Sequence, residues 1–489
     1  MNKSSVLSKA QNYENEFINS INIEEKPLFH FSTPIGWIND PNGFSSFNKE
    51  YHLFYQYHPY STVWGPMHWG HSKTKDFIKW ERLPIALAPD EKYDEKGCFS
   101  GTAIEADGKH ILMYTGVFND TNESGPQAER QIQCIAIGDG INYEKMECNP
   151  VIPTGMIPEG SSLIDFRDPK IWKSGDKFYS VVASRSEDGS GQILLYSSKN
   201  LKDWEFITVI DKSNNEIGRM WECPDFFNID GNQILIISPQ EMKAEGLRFQ
   251  NGSNTVYIIG TYDEGKHSFT RKDYNQIDYG LDFYAPQTLE AEDGRRIMIG
   301  WMNSWENRIV PDNFKWCGMM TIPRELTVRN GVLIQNPVRE IENYYKNSVE
   351  YKDIVVEDEI RLGKISGRNI DMTVEIMGGD YNELQIKVAK NSECETTISY
   401  EPSKNIVTFD RTYSGTNRGV LHRSSMKLKK NDGNTKIRIL LDNYSAEIFT
   451  NDGEEAMTST FYTPLDAQDI SFSCDGTAKI NVIKHDIVL

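Results

Sequence analysis

Tyr51-His52-Leu53-Phe54-Tyr55 is a short apolar and aromatic run, and runs of the same character recur four more times along the chain. The later copies, spaced by about 60 residues, are Ile111-Leu112-Met113-Tyr114, Phe178-Tyr179-Ser180-Val181-Val182, Ile234-Leu235-Ile236-Ile237 and Ile297-Met298-Ile299-Gly300-Trp301. Apolar runs of this length, bounded by turn residues, predict buried β-strands. Their recurrence at a nearly constant interval is the signature of a repeat architecture.

A second recurring element precedes each of these strands. Its five versions are Asp40-Pro41, Phe99-Ser100-Gly101-Thr102, Arg167-Asp168-Pro169, Glu222-Cys223-Pro224 and Tyr284-Ala285-Pro286-Gln287. An interval of about 60 residues holds four short strands, which make one blade of a β-propeller, so the sequence predicts an all-β, five-bladed β-propeller. Equivalent elements of all blades face one axis, so Asp40, Asp168 and Glu222 should converge there. The alternative, prolines that only punctuate strands, leaves three carboxylates beside them unexplained.

Three acidic stretches carry a resemblance to a known family. They are Trp37-Ile38-Asn39-Asp40-Pro41-Asn42-Gly43, Phe166-Arg167-Asp168-Pro169 and Trp221-Glu222-Cys223-Pro224. The first alone is typical of a tight turn, but all three in this order resemble the signature motifs of the invertase-type glycoside hydrolases of family 32, which cleave terminal fructofuranosyl units. The resemblance runs from about Leu28 to the C-terminus. It implies that Asp40 is the nucleophile, that Asp168 stabilises the transition state and that Glu222 is the acid/base.

The resemblance also implies a set of substrate contacts. These are Trp37, Asn39, Gln56, Trp64, Phe99, Ser100, Arg167 and Trp301. The residue types suit a sugar, because aromatic faces cover its C–H surface while amides and hydroxyls fix its orientation. For the aromatic residues the alternative is a core position packed between blades.

The chemistry expected of the three acids is a retaining displacement through a covalent fructosyl-enzyme on Asp40. Such a mechanism predicts a separation of about 5 to 5.5 Å between the carboxyl groups of Asp40 and Glu222. The charge of Asp40 should favour the protonated form of Glu222, and Arg167 should keep Asp168 ionised. Cys223 lacks a histidine partner in its local sequence and is expected to tune the environment of Glu222 rather than to react.

The domain organisation predicted from the chain has three parts. Residues 27–335 are expected to form the propeller, residues 336–349 a helical linker, and residues 350–489 a C-terminal β-sandwich. Alternating apolar and polar residues, as in Leu384-Gln385-Ile386-Lys387-Val388, predict half-buried strands in the last part. Its expected role is structural or oligomeric rather than sugar binding, and residues 1–26 are expected to be a lead-in with helix-compatible runs.

Composition restricts the function classes. The 489 residues carry a formal net charge of −19, which argues against a nucleic-acid partner or an anionic membrane surface. No secretory signal or membrane span is evident, and seven cysteines without paired spacing suit reduced thiols, so a cytoplasmic location is expected. His68 and His71 have no further ligands at metal-like spacing. No cofactor and no metal are predicted.

The predicted function is hydrolysis of terminal non-reducing β-D-fructofuranosyl units from sucrose, sucrose 6-phosphate or short fructooligosaccharides. Alternatives are a fructosyltransferase using the same intermediate, a non-catalytic fructan-binding protein and a propeller used as a protein-interaction platform. The intact set of three acids favours an enzyme acting on a small sugar, in a chain that can form a homodimer. A phosphorylated substrate requires basic groups at the rim of the site, for which Arg248 and Lys243 are candidates.

Overall fold

The computed structural model describes residues 4–121, 125–416, 418–429 and 434–489, and most of their regular structure is β-strand. One α-helix, α1, spans Ser5–Phe17, and the side chain of Ser4 caps it by accepting a hydrogen bond from the Leu7 backbone N–H at 3.1 Å. The 3-10 helices are Ile18–Ser20, Ile23–Glu25, Gly125–Ala128, Thr154–Met156 and Arg339–Tyr344. Among the described helices, none is long and apolar enough to cross a membrane.

The strands that precede the last of these helices fall into five sheets, counted over the described residues. The first four sheets comprise β1 Gly36–Phe47, β2 Glu50–His58, β3 His68–Thr74 and β4 Trp80–Leu87; β5 Gly97–Ala106, β6 Lys109–Asn119, β7 Glu129–Gly138 and β8 Tyr143–Lys145; β9 Ser161–Ser174, β10 Lys177–Ser186, β11 Gly191–Ser198 and β12 Trp204–Lys212; β13 Trp221–Ile229, β14 Asn232–Pro239, β15 Val256–Asp263 and β16 Ser268–Gln276. In each of these sheets the four strands are antiparallel neighbours in chain order.

The fifth sheet also closes onto the first. Its strands are β17 Tyr284–Glu290, β18 Arg296–Met302, β20 Met319–Met320, β21 Arg324–Arg329 and β22 Val332–Pro337. Between β18 and β20 the chain forms β19, Trp316–Cys317, which pairs parallel to β1. The five recurring apolar runs of the sequence are the second strands, β2, β6, β10, β14 and β18, and the elements before them lie in the first strands.

The first strands share two features. They contact one another in cyclic order, β1 with β5, β5 with β9, β9 with β13, β13 with β17, and β17 with β1. Each also has a β-bulge at the recurring element: between Ile38 and Pro41, Phe99 and Gly101, Arg167 and Lys170, Glu222 and Asp225, and Tyr284 and Gln287. A bulge leaves a residue out of the ladder and re-aims its side chain, and it tolerates the missing N–H of proline. The recurring elements therefore mark the level at which the first strands turn side chains out of the ladder.

The remaining strands form two sheets that enclose a core of buried aliphatic and aromatic residues. They are β23 Tyr345–Val356, β24 Ile370–Asp380, β25 Leu384–Lys390, β26 Thr396–Glu401, β27 Ile406–Asp410, β28 Arg423–Lys427, β29 Thr435–Asp442, β30 Ser445–Thr450, β31 Glu455–Thr460, β32 Asp469–Cys474 and β33 Thr477–Ile487. One sheet has the order β23-β33-β24-β29-β30-β31 and the other β28-β27-β26-β25-β32. The stretch 336–349, expected as a helical linker, contains a 3-10 helix and the start of β23, because Tyr345 already pairs with Ile487.

A buried network of charges joins the two halves of the chain. The ring of His30 contacts Asp442 through Nδ1 and Glu447 through Nε2, each at 2.8 Å. Arg324, on β21, donates from Nε to Glu447 at 3.0 Å and from Nη1 to Asp278 at 3.0 Å. All five side chains are 5% exposed or less. Because unpaired charges are costly to bury, this network fixes how the sandwich sheets sit against the first part of the chain.

Candidate active site

A cavity of about 460 Å³ opens at the level of the bulges. It is lined by Asn39, Asp40, Gln56, Trp64, Phe99, Ser100, Glu129, Gln131, Ile164, Asp165, Arg167, Asp168, Arg185, Glu222 and Trp305. Nine of the eleven residues predicted for the site are in this set. The exceptions are Trp37 and Trp301.

Asp40 lies in the bulge of β1 and is fixed by two side-chain donors. Ser100 Oγ donates to its Oδ2 at 2.6 Å, and Asn39 Nδ2 donates to its Oδ1 at 3.0 Å. Burial raises the pKa of Asp40, and the negative charge of Glu222 adds to the rise, while the hydrogen bond from Ser100 opposes it. The carboxylate is thus oriented by neighbours on β1 and β5 but only weakly stabilised as an anion, which suits a group that attacks an electrophilic carbon.

Asp168 occupies the bulge of β9 with a backbone φ of 59°, in the left-handed region that aspartate tolerates better than most residues. The Cys223 backbone N–H donates to its Oδ2 at 3.1 Å. Burial raises the pKa of Asp168 to about 7, and the charges of Glu222 and Asp40 contribute, against the lowering effect of Arg167. Arg167 thus lowers the pKa of Asp168, in the expected direction, but burial and the neighbouring carboxyl groups outweigh it.

Arg167 directs its donors elsewhere. Its Nε donates to Glu222 Oε1 at 2.9 Å, and its Nη1 donates to Asp165 at 3.0 Å and to Gln131 at 3.2 Å. The guanidinium therefore pairs with the third acid and with an acid on its own strand. Its effect on Asp168 is limited to the charge it places nearby.

Glu222 receives three hydrogen bonds from three different strands or loops. Besides Arg167, Tyr284 Oη donates to its Oε2 at 2.6 Å and Gln240 Nε2 donates to the same oxygen at 2.9 Å. Tyr284 begins the fifth copy of the recurring element, yet the sequence analysis assigned it no role. These contacts hold the carboxyl group in one orientation at the wall of the cavity.

Cys223 follows Glu222, and its thiol contacts the other two acids of the site. Its Sγ lies 3.6 Å from Oδ2 of Asp40 and 3.6 Å from Oδ2 of Asp168. Burial raises the pKa of this thiol well above its ordinary value, and the three carboxyl groups nearby add to the rise. The thiol is therefore a neutral, weak donor between the two aspartates, and its expected influence on Glu222 stays a prediction.

The tryptophans divide into a buried pair and an exposed pair. Trp37 and Trp301 are 4% and 0% exposed, and they pack edge to face with their ring centroids 5.8 Å apart. Trp37 Nε1 donates to Asn39 Oδ1 at 2.8 Å, so it orients the amide that binds Asp40. Trp64 and Trp305, 48% and 42% exposed, lie on the lining. Trp301 lies within β18 with its ring in the interior, whereas Trp305 follows the end of that strand.

Several lining residues were not predicted from the sequence. They are Glu129, Gln131, Ile164, Asp165, Arg185 and Trp305. The position of Trp305, four residues after Trp301, was the available signal; the polar residues on β7, β9 and β10 carried none. The two basic residues proposed from sequence for the rim, Lys243 and Arg248, are absent from the lining, and Arg248 pairs with Glu245 at 2.7 Å. Within the described residues no group of three or more potential metal ligands is found.

Comparison with known proteins gives matches over nearly the whole chain. The model of the glycosyl hydrolases family 32 N-terminal domain matches residues 30–337, and that of the family 32 C-terminal domain matches residues 340–487. The sucrose-6-phosphate hydrolase of Escherichia coli is 36% identical over 470 residues, 94% of this chain and 93% of that protein. The raffinose invertase of Escherichia coli is 35% identical over 455 residues, 91% of each.

A solved structure is similar over its full length as well. The family 32 β-fructofuranosidase of Bombyx mori superimposes with a TM-score of 0.86 at 33% identity, covering 99% of both chains. A variant of that enzyme has been solved in complex with sucrose.

Proposed function

Because the chain belongs to family 32 of the glycosyl hydrolases, and is therefore a glycoside hydrolase, we propose that it releases terminal non-reducing β-D-fructofuranosyl units from sucrose, sucrose 6-phosphate or short fructooligosaccharides. The observation that carries the proposal is the single cavity shared by Asp40, Asp168 and Glu222. Glycoside hydrolysis needs one carboxyl group that protonates the leaving oxygen and a second that acts at the anomeric carbon. Relatives that act on sucrose and its phosphate support a sugar of this size.

In the proposed mechanism Asp40 attacks carbon 2 of the fructosyl unit while Glu222 gives its proton to the glycosidic oxygen. A covalent fructosyl-enzyme forms. Glu222, now acting as a base, takes a proton from a water molecule that attacks carbon 2, which frees the carboxylate of Asp40 and releases fructose with retained configuration at that carbon. Ser100 and Asn39 hold Asp40 in line for the attack. The proposed separation of about 5 to 5.5 Å between the two carboxyl groups follows from this mechanism.

The donors around Glu222 support its two roles. Arg167, Tyr284 and Gln240 stabilise the carboxylate that remains after the proton has left, so proton donation costs less free energy. Formation of the ester on Asp40 then removes one negative charge from the cavity. Asp168, which neither attacks nor protonates in this scheme, is proposed to bind fructosyl hydroxyls and to stabilise the oxocarbenium-like transition state.

The proposal includes the architecture that brings these groups together. The five sheets up to residue 337 are proposed to be the blades of a five-bladed propeller, and this is supported by the cyclic contacts of β1, β5, β9, β13 and β17. The proposed domains are residues 27–335 and 350–489, joined by 336–349. A homodimer and a cytoplasmic location stay predictions, which light scattering and cell fractionation would test.

The test is release of fructose by the purified protein, run beside the Asp40→Ala variant, with glucose as the second product from sucrose, glucose 6-phosphate from sucrose 6-phosphate and sucrose from kestose. We expect release by the wild type and none by the variant. Reaction in the presence of methanol should yield methyl β-D-fructofuranoside, which NMR distinguishes from the α-anomer that inversion would give. Lack of release from all three sugars would refute the proposed activity, and the α-anomer would refute the covalent intermediate alone.

A further inference from the structure

Arg185 lies at the end of β10, on the lining of the cavity, with 35% of its side chain exposed. Its guanidinium pairs with Asp165 through Nη2 at 2.5 Å. A guanidinium has five N–H donors in a planar fork that matches phosphate and carboxylate oxygens. Arg185 therefore has donor capacity beyond the one ion pair that the structure gives it.

A chain of alternating charges leads from the acid/base to this arginine. Glu222 pairs with Arg167 at 2.9 Å, Arg167 pairs with Asp165 at 3.0 Å, and Asp165 pairs with Arg185. In the proposed reaction Glu222 protonates the oxygen that links the fructosyl unit to the leaving sugar. The part of the cavity next to Glu222 is therefore expected to hold the leaving sugar, and Arg185 lies on the same lining, linked to Glu222 through Arg167 and Asp165.

The distribution of charge on the lining indicates that Arg185 is the cation available to an anionic substrate. Among the described lining residues the cations are Arg167 and Arg185, whereas the carboxyl groups are Asp40, Glu129, Asp165, Asp168 and Glu222. Arg167 is largely buried and held by Glu222, Asp165 and Gln131. An anionic substrate entering a cavity with an excess of carboxyl groups needs a cation nearby. Arg185 is the more exposed of the two lining cations, and its guanidinium can turn from Asp165 toward such a substrate.

We propose that Arg185 binds the phosphate of sucrose 6-phosphate by exchanging Asp165 for phosphate oxygens, an inference that rests on the proposed function. In this substrate the leaving glucosyl unit carries the phosphate. Asp165 competes with the phosphate for the guanidinium. It occupies Arg185 when the substrate is neutral, so that sucrose meets no unpaired charge at the rim. The pair thus sets the ratio of activity on the phosphorylated substrate to activity on the neutral one.

The test is kcat and KM for sucrose and for sucrose 6-phosphate in the wild type and in Arg185→Gln. Loss of a charge-assisted contact predicts a fall of about tenfold or more in kcat/KM for sucrose 6-phosphate, mainly through KM, and a change within about threefold for sucrose. Arg185→Lys should keep part of the preference. Asp165→Asn should raise the ratio of kcat/KM for sucrose 6-phosphate to kcat/KM for sucrose, because the competitor of the phosphate loses its charge. An effect that reaches both substrates through Arg167 cancels in this ratio.

The control is Arg248→Gln, which removes the same charge from outside the cavity and should leave the ratio unchanged. If the wild type cleaves sucrose but the ratio is unchanged in Arg185→Gln, the role of Arg185 is overturned and the proposed activity stands. If neither sugar is cleaved, both proposals fail. Inhibition of wild-type sucrose hydrolysis by glucose 6-phosphate and by glucose tests the site without any variant. The phosphate should inhibit several-fold more strongly, and equal inhibition would also overturn the inference.

Discussion

The cavity and the junction between the two halves of the chain both bury carboxyl groups, yet with opposite consequences for protonation. In the cavity, burial and neighbouring negative charges raise the pKa of Asp40 and of Asp168. At the junction, the pKa of Asp442 and of Glu447 is lowered although both are completely buried. Burial alone therefore does not decide the charge of these groups.

The difference lies in the donors supplied to each carboxyl group. Asp442 accepts from the backbone N–H groups of Leu28, Phe29 and His30 and from the ring of His30. Glu447 is likewise surrounded by His30, Arg324 and the backbone of Ile322. The aspartates of the cavity have fewer donors and each other's charge nearby. A structural carboxylate is saturated by the protein, whereas one in the cavity stays available to a substrate.

These opposite pKa shifts predict opposite effects of pH on the free energy of unfolding. Asp442 and Glu447 have folded pKa values below the unfolded ones, so their stabilisation is present above the unfolded values and is lost as pH falls through the folded ones. The pKa of His30 is raised to about 9 by these two carboxylates, against its burial, so its stabilisation is complete below its unfolded pKa and is lost as pH rises toward 9. Asp168 has a raised folded pKa, so it destabilises the folded chain as pH rises above its unfolded pKa.

The largest expected effect is on activity, from a change in the cavity. Asp40→Asn should lower kcat by about 10⁵-fold, because the proposed nucleophile is removed. The free energy of unfolding at pH 7 should not fall, since a neutral amide replaces a buried acid whose donors are Ser100, Asn39 and the weakly donating thiol of Cys223. Fructose release and urea denaturation measure the two quantities. A variant that loses both activity and stability would remove the contrast between the two regions.

The next effect is on stability, from the junction. Glu447→Ala should lower the free energy of unfolding by about 3 to 5 kcal/mol, because Arg324 and His30 lose a shared buried partner. Glu454→Ala is the matched control, since Glu454 pairs with Arg329 at the surface at 3.3 Å and should cost less than about 1 kcal/mol. Equal losses in the two variants, measured by urea denaturation, would contradict the structural role of the network.

Asp168→Asn should lower kcat by about 10²- to 10³-fold, the usual loss for one electrostatic contact to a transition state. It should also raise stability above pH 7. Asp168 titrates near pH 7 in the folded chain and near about pH 4 in the unfolded one, so wild-type stability falls as pH rises between these values. The asparagine variant lacks this loss. Melting temperatures of both proteins between pH 4 and 8 should diverge as pH rises, and a constant difference would argue against the raised pKa.

The smallest effect should come from a residue that positions the acid/base. Tyr284→Phe removes one of three donors to Glu222 and should lower kcat about tenfold, the effect of a single hydrogen bond to a charged group. Tyr143→Phe, which removes a hydroxyl bonded to His110 outside the cavity, is the control. Equal effects in both variants would show that Tyr284 matters only for packing.

Local sequence patterns determined which segments are strands and which positions interrupt them. The alternation of apolar runs with Pro-containing elements depends on neighbouring residues, so the five second strands and the position of Asp40, Asp168 and Glu222 on the first strands were readable from the chain. The resemblance to family 32 rested on the same short stretches and is confirmed by the family models. The lining residues on β1 and β5 were predicted because they lie in or beside these stretches.

Only the tertiary structure decided which tryptophan is exposed and which acid is charged. Trp301 and Trp305 are four residues apart, and the end of β18 alone separates a buried ring from an exposed one. The pKa of Asp168 is raised by burial and then by Glu222 and Asp40, which are distant along the chain but line the same cavity. Electrostatic interaction and burial act through space, so contacts such as Tyr284 with Glu222 or Arg185 with Asp165 follow from the packing of separate sheets and leave no local pattern in the sequence.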